Sequence, residues 1–329
     1  MSSSTPLPIE AQQATNLELA ALLKAAGDPL RLDILRLLGR DSLGVMELSR
    51  IFDVKQSGMS HHLKVLANAN LVVSRREGNS IFYRRALPQF QHQELIKALF
   101  DSVDLQPLSA DNQIGLGKIQ EERAQASRDF FANNAEKFRE QQDLIASYPA
   151  YAEAALEMLD STPLSARQAA LEIGPGEGQF LKPLSNRFEQ VIALDNSASM
   201  LQQAKNFCHK EQLQNIEFIH GDTRAATEQH LKVDCIVLNM VLHHTPSPAS
   251  ILLDASTLLN PGGAVVMTDL CHHDQQWAKE ACGDLWLGLD PDDLSNWARQ
   301  AGLTEGESQY IALRNGFQIQ FRQFFKPAH

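Results

Sequence analysis

Residues 171–180, LEIGPGEGQF, place glycines at 174, 176 and 178 directly behind an acid, Glu172. Glycine lets a backbone approach a ligand closely, and a helix start offers unpaired amides to it. The apolar run AALEI ends at Ile173, and a helix is expected to begin near Gly178. A dinucleotide loop requires G-x-G-x-x-G/A, but Gln179 stands three residues after Gly176. The order G-x-G-x-G behind a carboxylate suits a ligand with an amine to be accepted and no pyrophosphate, such as S-adenosylmethionine (SAM). Two more acids close the next apolar runs. Asp195 ends VIALD, where a carboxylate accepts from both ribose hydroxyls, and Asp222 in IHGDT can accept from the adenine amine. His243 and His244 follow the run DCIVLN, at the strand end where a substrate sits, so either is a candidate general base. Packing of the loop is the alternative use of such a pair.

A second constellation lies in the first third. Gln56, Ser57, Ser60 and His61 form the polar start of a helix whose other side carries Met59, Leu63 and Leu66. Short polar side chains at a helix N-terminus read base edges in the major groove. Lys55, Lys64, Arg75 and Arg76 are placed for phosphates, and the two arginines could enter the minor groove. The chain carries −11 overall, yet residues 17–100 hold 12 basic against 8 acidic residues, which leaves −15 on the remainder. Between 55 and 85 six basic residues face the single acid Glu77. A basic patch on an acidic body fits local phosphate contact.

These residues require two frameworks. The 329 residues suffice for two domains. Residues 1–16 read as a disordered leader and 17–26 as a helix. Asp28-Pro29 supplies an N-cap and an N1 proline for a second helix to about Leu38. A third helix over 45–52, a turn at 53–56, the polar-faced helix over 57–68 and a hairpin over 71–85 turning at Glu77-Gly78-Asn79 follow. A further helix covers roughly 89–103. This predicts an α+β winged helix-turn-helix domain over 17–103. Residues 104–147 are expected to be a linker, loose over 104–116, then a long helix over about 117–146. From 148 to 329 short apolar strands alternate with helices, predicting an α/β Rossmann-like, doubly wound, mostly parallel sheet. QYIAL and FQIQFRQFF could add an antiparallel edge.

The blocks GDPLRLDIL, SHHLKVL and RREGNSIFYR resemble the ArsR/SmtB family of dimeric winged-helix repressors over about 65 residues. That resemblance implies double-stranded operator DNA as partner and a homodimer. The chain departs from the family's metal sensors: Gly44–Leu48 carries no thiolate pair, and the last helix has only His92. The second half resembles class I SAM-dependent methyltransferases over about 125 residues, through LEIGPGEGQF, VDCIVLNMVLHHTPSP, LLNPGGAVVMTDL and RDFFANNAEKF. It implies contacts to SAM or S-adenosylhomocysteine (SAH) from Gly174, Gly176, Asp195, Ser197, Met200, Asp222, Thr223 and Asn239; Glu172 and Gly178 complete the expected set. The DNA-methyltransferase motifs are absent, since Met240-Val241 follows Asn239.

Cys271, His272, His273 and Cys282 match no tight metal-ligand spacing, and no metal site is expected. The four scattered cysteines suggest a reduced, cytoplasmic setting. Neither a signal peptide nor an apolar run long enough to span a membrane is visible. The expected function is a repressor that senses SAM or SAH, similar to SAH-responsive methyl-cycle regulators. A small-molecule methyltransferase with an autoregulatory DNA-binding arm, and an arsenic-responsive fusion, are the other readings.

Overall fold

The computed structural model describes residues 9–77, 80–88, 92–134 and 138–328. The chain divides into two compact units, Met1–Gln120 and Glu121–His329.

The first unit contains α1 (Ile9–Ala26), α2 (Pro29–Leu37), β1 (Leu43–Gly44), α3 (Val45–Ile51), α4 (Gln56–Asn68), β2 (Val72–Glu77), β3 (Ser80–Arg85) and α5 (Gln93–Asp104). Asp28 caps α2 by accepting from the Arg31 amide at 3.0 Å, with Pro29 behind it at the first helical position. The turn from α3 to α4 passes through Asp53 at φ 51, a left-handed conformation that Asp tolerates better than most residues. Met59, Leu63 and Leu66 are fully buried on one side of α4 and pack with Ile34, Leu35, Leu48 and Leu71. The strands form an antiparallel sheet in the order β1-β3-β2. Gly78 and Asn79, at the expected hairpin turn, lie outside the described residues.

Two expectations are revised. Residues 9–16 of the expected leader are helical, because α1 begins at Ile9. The stretch 104–116 is not loose throughout: α6 (Ala110–Asn134) begins within it, with Ser109 Oγ accepting from the Asn112 amide at 3.2 Å. The expected long helix is described as α6 and α7 (Phe138–Ala146), and residues 135–137 between them lie outside the described residues.

The second unit continues with α8 (Tyr148–Ser161), β4 (Ala169–Ile173), α9 (Leu181–Ser185), β5 (Gln190–Asp195), α10 (Ala198–Lys210), β6 (Ile216–His220), α11 (Thr223–Glu228) and β7 (Val233–Asn239). A 3-10 turn at Leu242–His244 leads to α12 (Pro248–Leu258), β8 (Leu259–Leu270), α13 (Trp277–Cys282), α14 (Pro291–Gln300), β9 (Thr304–Ala312) and β10 (Gln318–Phe325). The seven strands run β6-β5-β4-β7-β8-β10-β9. Pairs from β6 to β8 are parallel, and β10 is antiparallel to both neighbours. The order therefore reverses between β4 and β7, the point at which doubly wound sheets open a ligand crevice. Asp234 fixes this register by accepting from the amides of Gln168 and Ala169 at 2.8 and 3.2 Å and from Asn260 Nδ2 at 2.8 Å. Among the described residues no helix is long and apolar enough to cross a membrane.

Arg85 ties the wing to the helices. It is 8% exposed, donates to the Leu35 carbonyl at 2.5 Å, forks onto both oxygens of Asp104 and lies over the Phe100 ring at 4.7 Å. All three tryptophans, Trp277, Trp286 and Trp297, belong to the second unit. Arg85→Ala should therefore destabilise the first unit by about 2 kcal/mol. In urea, part of the circular-dichroism transition should move to lower denaturant while the tryptophan fluorescence midpoint stays put. A joint shift of both signals would contradict independent unfolding.

Candidate functional site

The face of α4 opposite its core presents Gln56, Ser57, Ser60, His61 and Lys64 to solvent, with Lys55 exposed at the N-cap. Burial of Met59, Leu63 and Leu66 leaves that polar set on one side by helical geometry alone. Arg76 on β2 is exposed. Arg75 is not a free arm: its Nε binds Glu77 at 2.6 Å, and the Glu77 side chain is fully buried. The single acid among the basic residues of 55–85 thus engages Arg75.

In the second unit, the turn after β4 carries Gly174, Gly176 and Gly178 at φ 66, 56 and 87. A Cβ on Gly174 would collide with Val241 Cγ2, and one on Gly178 would meet the α10 backbone at Ala204 Cα at 3.0 Å. At both positions the close packing leaves no room for a side chain. Gly176 differs, because a Cβ there would meet nothing within 4 Å. It is the position where the loop faces open space. The expected helix start at Gly178 is corrected: α9 begins at Leu181 and is five residues long.

Three acids stand around the strand ends. Glu172 is 1% exposed, and burial pushes its carboxyl up to about 8 against a partial lowering by Asn239 beside it. Neither Glu172 Oε2 nor Asn239 Nδ2 completes a hydrogen bond. Asp195 ends β5, and burial pushes it up to about 6, opposed by the Ser197 amide at 2.8 Å and by His220. Ser197 caps α10 through its bond with the Met200 amide at 3.4 Å. Met200 is 3% exposed, with Phe130 and Phe131 of α6 packed against it. Asp222 is exposed and caps α11 by accepting from the Ala225 amide at 2.9 Å. Thr223 turns inward, and its hydroxyl is committed to Asp254 at 2.6 Å.

His243 and His244 are 2% and 6% exposed. His243 Nδ1 lies 2.5 Å from Asp269 Oδ1, and its Nε2 is 3.7 Å from Asp284 Oδ1. The carboxylates of Asp269 and Asp284 hold His243 up at about 9 against the effect of burial, whereas burial and the neighbouring His243 drive His244 well below the usual range. His244 Nδ1 is 3.3 Å from the Gly283 carbonyl and 3.6 Å from Asp284 Oδ1. Asp269 and Asp284 were not singled out from the sequence; an acid one residue before the end of a β-strand was the available signal for Asp269. Cys271 and Cys282 are both buried free thiols, and Cys282 Sγ donates to the Gln141 carbonyl at 3.5 Å. Among the described residues neither belongs to a cluster able to hold a metal.

The fold and these sites define a winged helix-turn-helix DNA-binding unit followed by a methyltransferase-type unit. Residues 28–74 match the model of the bacterial regulatory protein, arsR family, and residues 171–267 that of the methyltransferase domain. The chain is 39% identical over 95 residues to the biofilm growth-associated repressor of Agrobacterium fabrum, across 29% of this chain and 78% of that protein. It belongs to the ArsR family of bacterial regulators and carries a methyltransferase domain in the same polypeptide. It is 33% identical over 113 residues to a 37.1 kDa protein of a Streptomyces fradiae transposon, of whose length it spans 32%. It is 25% identical over 146 residues to the ubiquinone biosynthesis O-methyltransferase of Coxiella burnetii, across 40% of this chain and 62% of that enzyme. A methyltransferase solved with the Trm112 activator of Haloferax volcanii shares the fold at TM-score 0.50 and 16% identity, over 60% of this chain and 97% of its own.

Burial of Glu172 has a measurable cost. Between its ordinary value of 4.5 and the folded value of about 8, the folded chain keeps a proton that the unfolded chain has released. Stability of the second unit should therefore fall as pH rises through this window, by of the order of 1 kcal/mol per unit. Glu172→Gln should remove that slope. The gap in urea midpoint between variant and wild type, read by tryptophan fluorescence, should widen from pH 5 to pH 8; a constant gap would refute the assignment.

Proposed function

We propose that the protein is a cytoplasmic, homodimeric transcriptional repressor whose methyltransferase-fold unit senses SAM or SAH, acting on genes of the methionine and SAM cycle. The observation that carries this reading is α6, which runs without a break from Ala110 to Asn134. Its first half belongs to the DNA-binding unit: Ile119 is 2% exposed in that core, and a Cβ on Gly115 would sit 3.1 Å from Ile51 Cα of α3. Its second half belongs to the other unit: Arg123 donates to the Pro246 carbonyl, Ser127 to the His244 carbonyl, and Phe130 and Phe131 pack on Met200. One helix thus contributes to both cores.

The residues present suit an adenosyl amino acid. The unfilled hydrogen-bonding capacity of buried Glu172 and of the Asn239 Nδ2, with the open side of Gly176, supports this reading. Glu172, Gly174, Gly176, Ser197, Met200 and Asn239 would hold the ligand, with Asp195 accepting from the ribose hydroxyls and Asp222 from the adenine amine. When bound, SAM supplies a sulfonium-activated methyl group, which SAH lacks. Burial of both histidines favours sensing over base catalysis. A ligand regulates only if it binds the DNA-competent and incompetent states unequally.

The direct test is fluorescence anisotropy of the full chain on its own upstream DNA, at fixed salt because phosphate contacts are salt-dependent. SAM or SAH should shift DNA affinity by about tenfold, some 1.4 kcal/mol of coupling. Asp195→Ala should abolish this response and leave ligand-free DNA binding intact; an unresponsive wild type would defeat the sensor reading.

Asp195 also sets a pH dependence. Its carboxylate must be ionised to accept from the ribose, so lowering the pH through about 6 puts a proton in competition with the ligand. Well below pH 6, calorimetric affinity for SAH should fall by about tenfold per unit. Asp195→Asn should bind weakly with no such fall.

A further inference from the structure

We propose that His243, His244 and Asp284 form a binding site for one zinc-class divalent cation, separate from the nucleotide contacts. The three residues are buried together, and their candidate donor atoms all lie within 4.8 Å of one another. Asp284 Oδ1 stands 3.7 Å from His243 Nε2 and 3.6 Å from His244 Nδ1. Both spacings are too long for an N–H···O hydrogen bond, which spans roughly 2.7–3.2 Å. They are close to the ligand-to-ligand edge of a tetrahedral zinc site, about 3.4 Å for bonds of roughly 2.0–2.1 Å.

The surroundings add an independent argument. A metal-binding imidazole usually gives its other nitrogen to a carboxylate, which fixes the tautomer and aims the free lone pair. His243 does this: Nδ1 lies on Asp269, leaving Nε2 turned toward Asp284. Asp269 is itself held by the amides of Leu242 at 2.9 Å and Leu270 at 2.8 Å. The peptide carrying Asp284 is anchored to the same turn, since the Leu285 and Trp286 amides both donate to the His243 carbonyl at 3.0 Å. A divalent ion would replace the proton on His243 Nε2, which leaves to solvent, and would balance the carboxylates of Asp269 and Asp284 with both rings then neutral; buried charge is found paired or on a metal. Binding moves the His244 proton from Nδ1, where it faces the Gly283 carbonyl, to Nε2. Three protein ligands leave a fourth position for water or for that carbonyl. Two imidazoles and a carboxylate select zinc, cobalt or iron over calcium or magnesium.

The test uses the full chain freed of metal with EDTA, then titrated with Co²⁺ and with Zn²⁺. One equivalent of Co²⁺ should give the intense visible bands of a tetrahedral centre without a thiolate charge-transfer band, and one equivalent of Zn²⁺ should abolish them. His244→Gln and Asp284→Asn should each remove this equivalent, while Asp269→Asn should weaken it by about ten- to a hundredfold. Retained tryptophan fluorescence shows that each variant has folded. Wild-type protein that takes up no ion, a thiolate band, or stoichiometry unchanged in folded variants would each overturn the proposal; the wild-type arm decides even if a variant fails to fold.

Discussion

The carboxylate of Asp269 has no exposed surface, and the loops above the sheet depend on what it holds. It takes the Leu242 and Leu270 amides and His243 Nδ1, so the turn after β7 is fastened to the end of β8. The His243 carbonyl in turn accepts the Leu285 and Trp286 amides, and the Trp286 indole donates to the Thr245 carbonyl at 2.8 Å. Arg123 of α6 lies over that indole at 4.9 Å. One buried anion therefore organises a chain of contacts from the sheet to α6. A buried carboxylate is tolerated when donors surround it, and here each donor belongs to a segment that must be positioned.

Glu172 and Asp195 lack that degree of satisfaction. Both are pushed upward by burial, to about 8 and about 6, and Glu172 keeps an unfilled oxygen. A fold gains nothing from desolvating acids it does not pair. The contrast with Asp269 and Asp234, whose oxygens are occupied by main-chain amides, separates carboxylates that build the unit from carboxylates held ready for something else. Perturbed titration at a strand-end crevice is the physical mark of a functional site.

Much of this was legible in the sequence because it follows from periodicity and spacing. The polar and apolar faces of α4 are fixed by positions 59, 63 and 66, and the glycine order excluded a dinucleotide loop before any strand was seen. The start of α6 could have been read too, since Ser109 with Asp111 in the first turn is a cap signal, but the surrounding polarity masked it. The short α9 follows from Gly178, whose φ of 87 is incompatible with a helical start. Pairings between distant residues were not legible. Nothing local says that Glu77 holds Arg75, that Asp269 lies on His243, or that Asp284 meets two histidines forty residues earlier. Such pairs are created by the sheet order and the loop path.

A sensor built on a methyltransferase fold needs less than an enzyme built on it. SAM and SAH share the adenosine and the amino-acid end, so glycines and strand-end acids that contact only those parts would treat the two alike. Only groups that meet the sulfur can tell a sulfonium from a thioether. A general base is required for neither task. A chain that uses the fold to read a ligand can therefore bury His243 and His244 away from that ligand, at no loss. The polar groups of the adenosyl pocket must still be kept, because without them the ligand does not bind at all. Buried histidines beside incompletely satisfied acids are compatible with that division of labour.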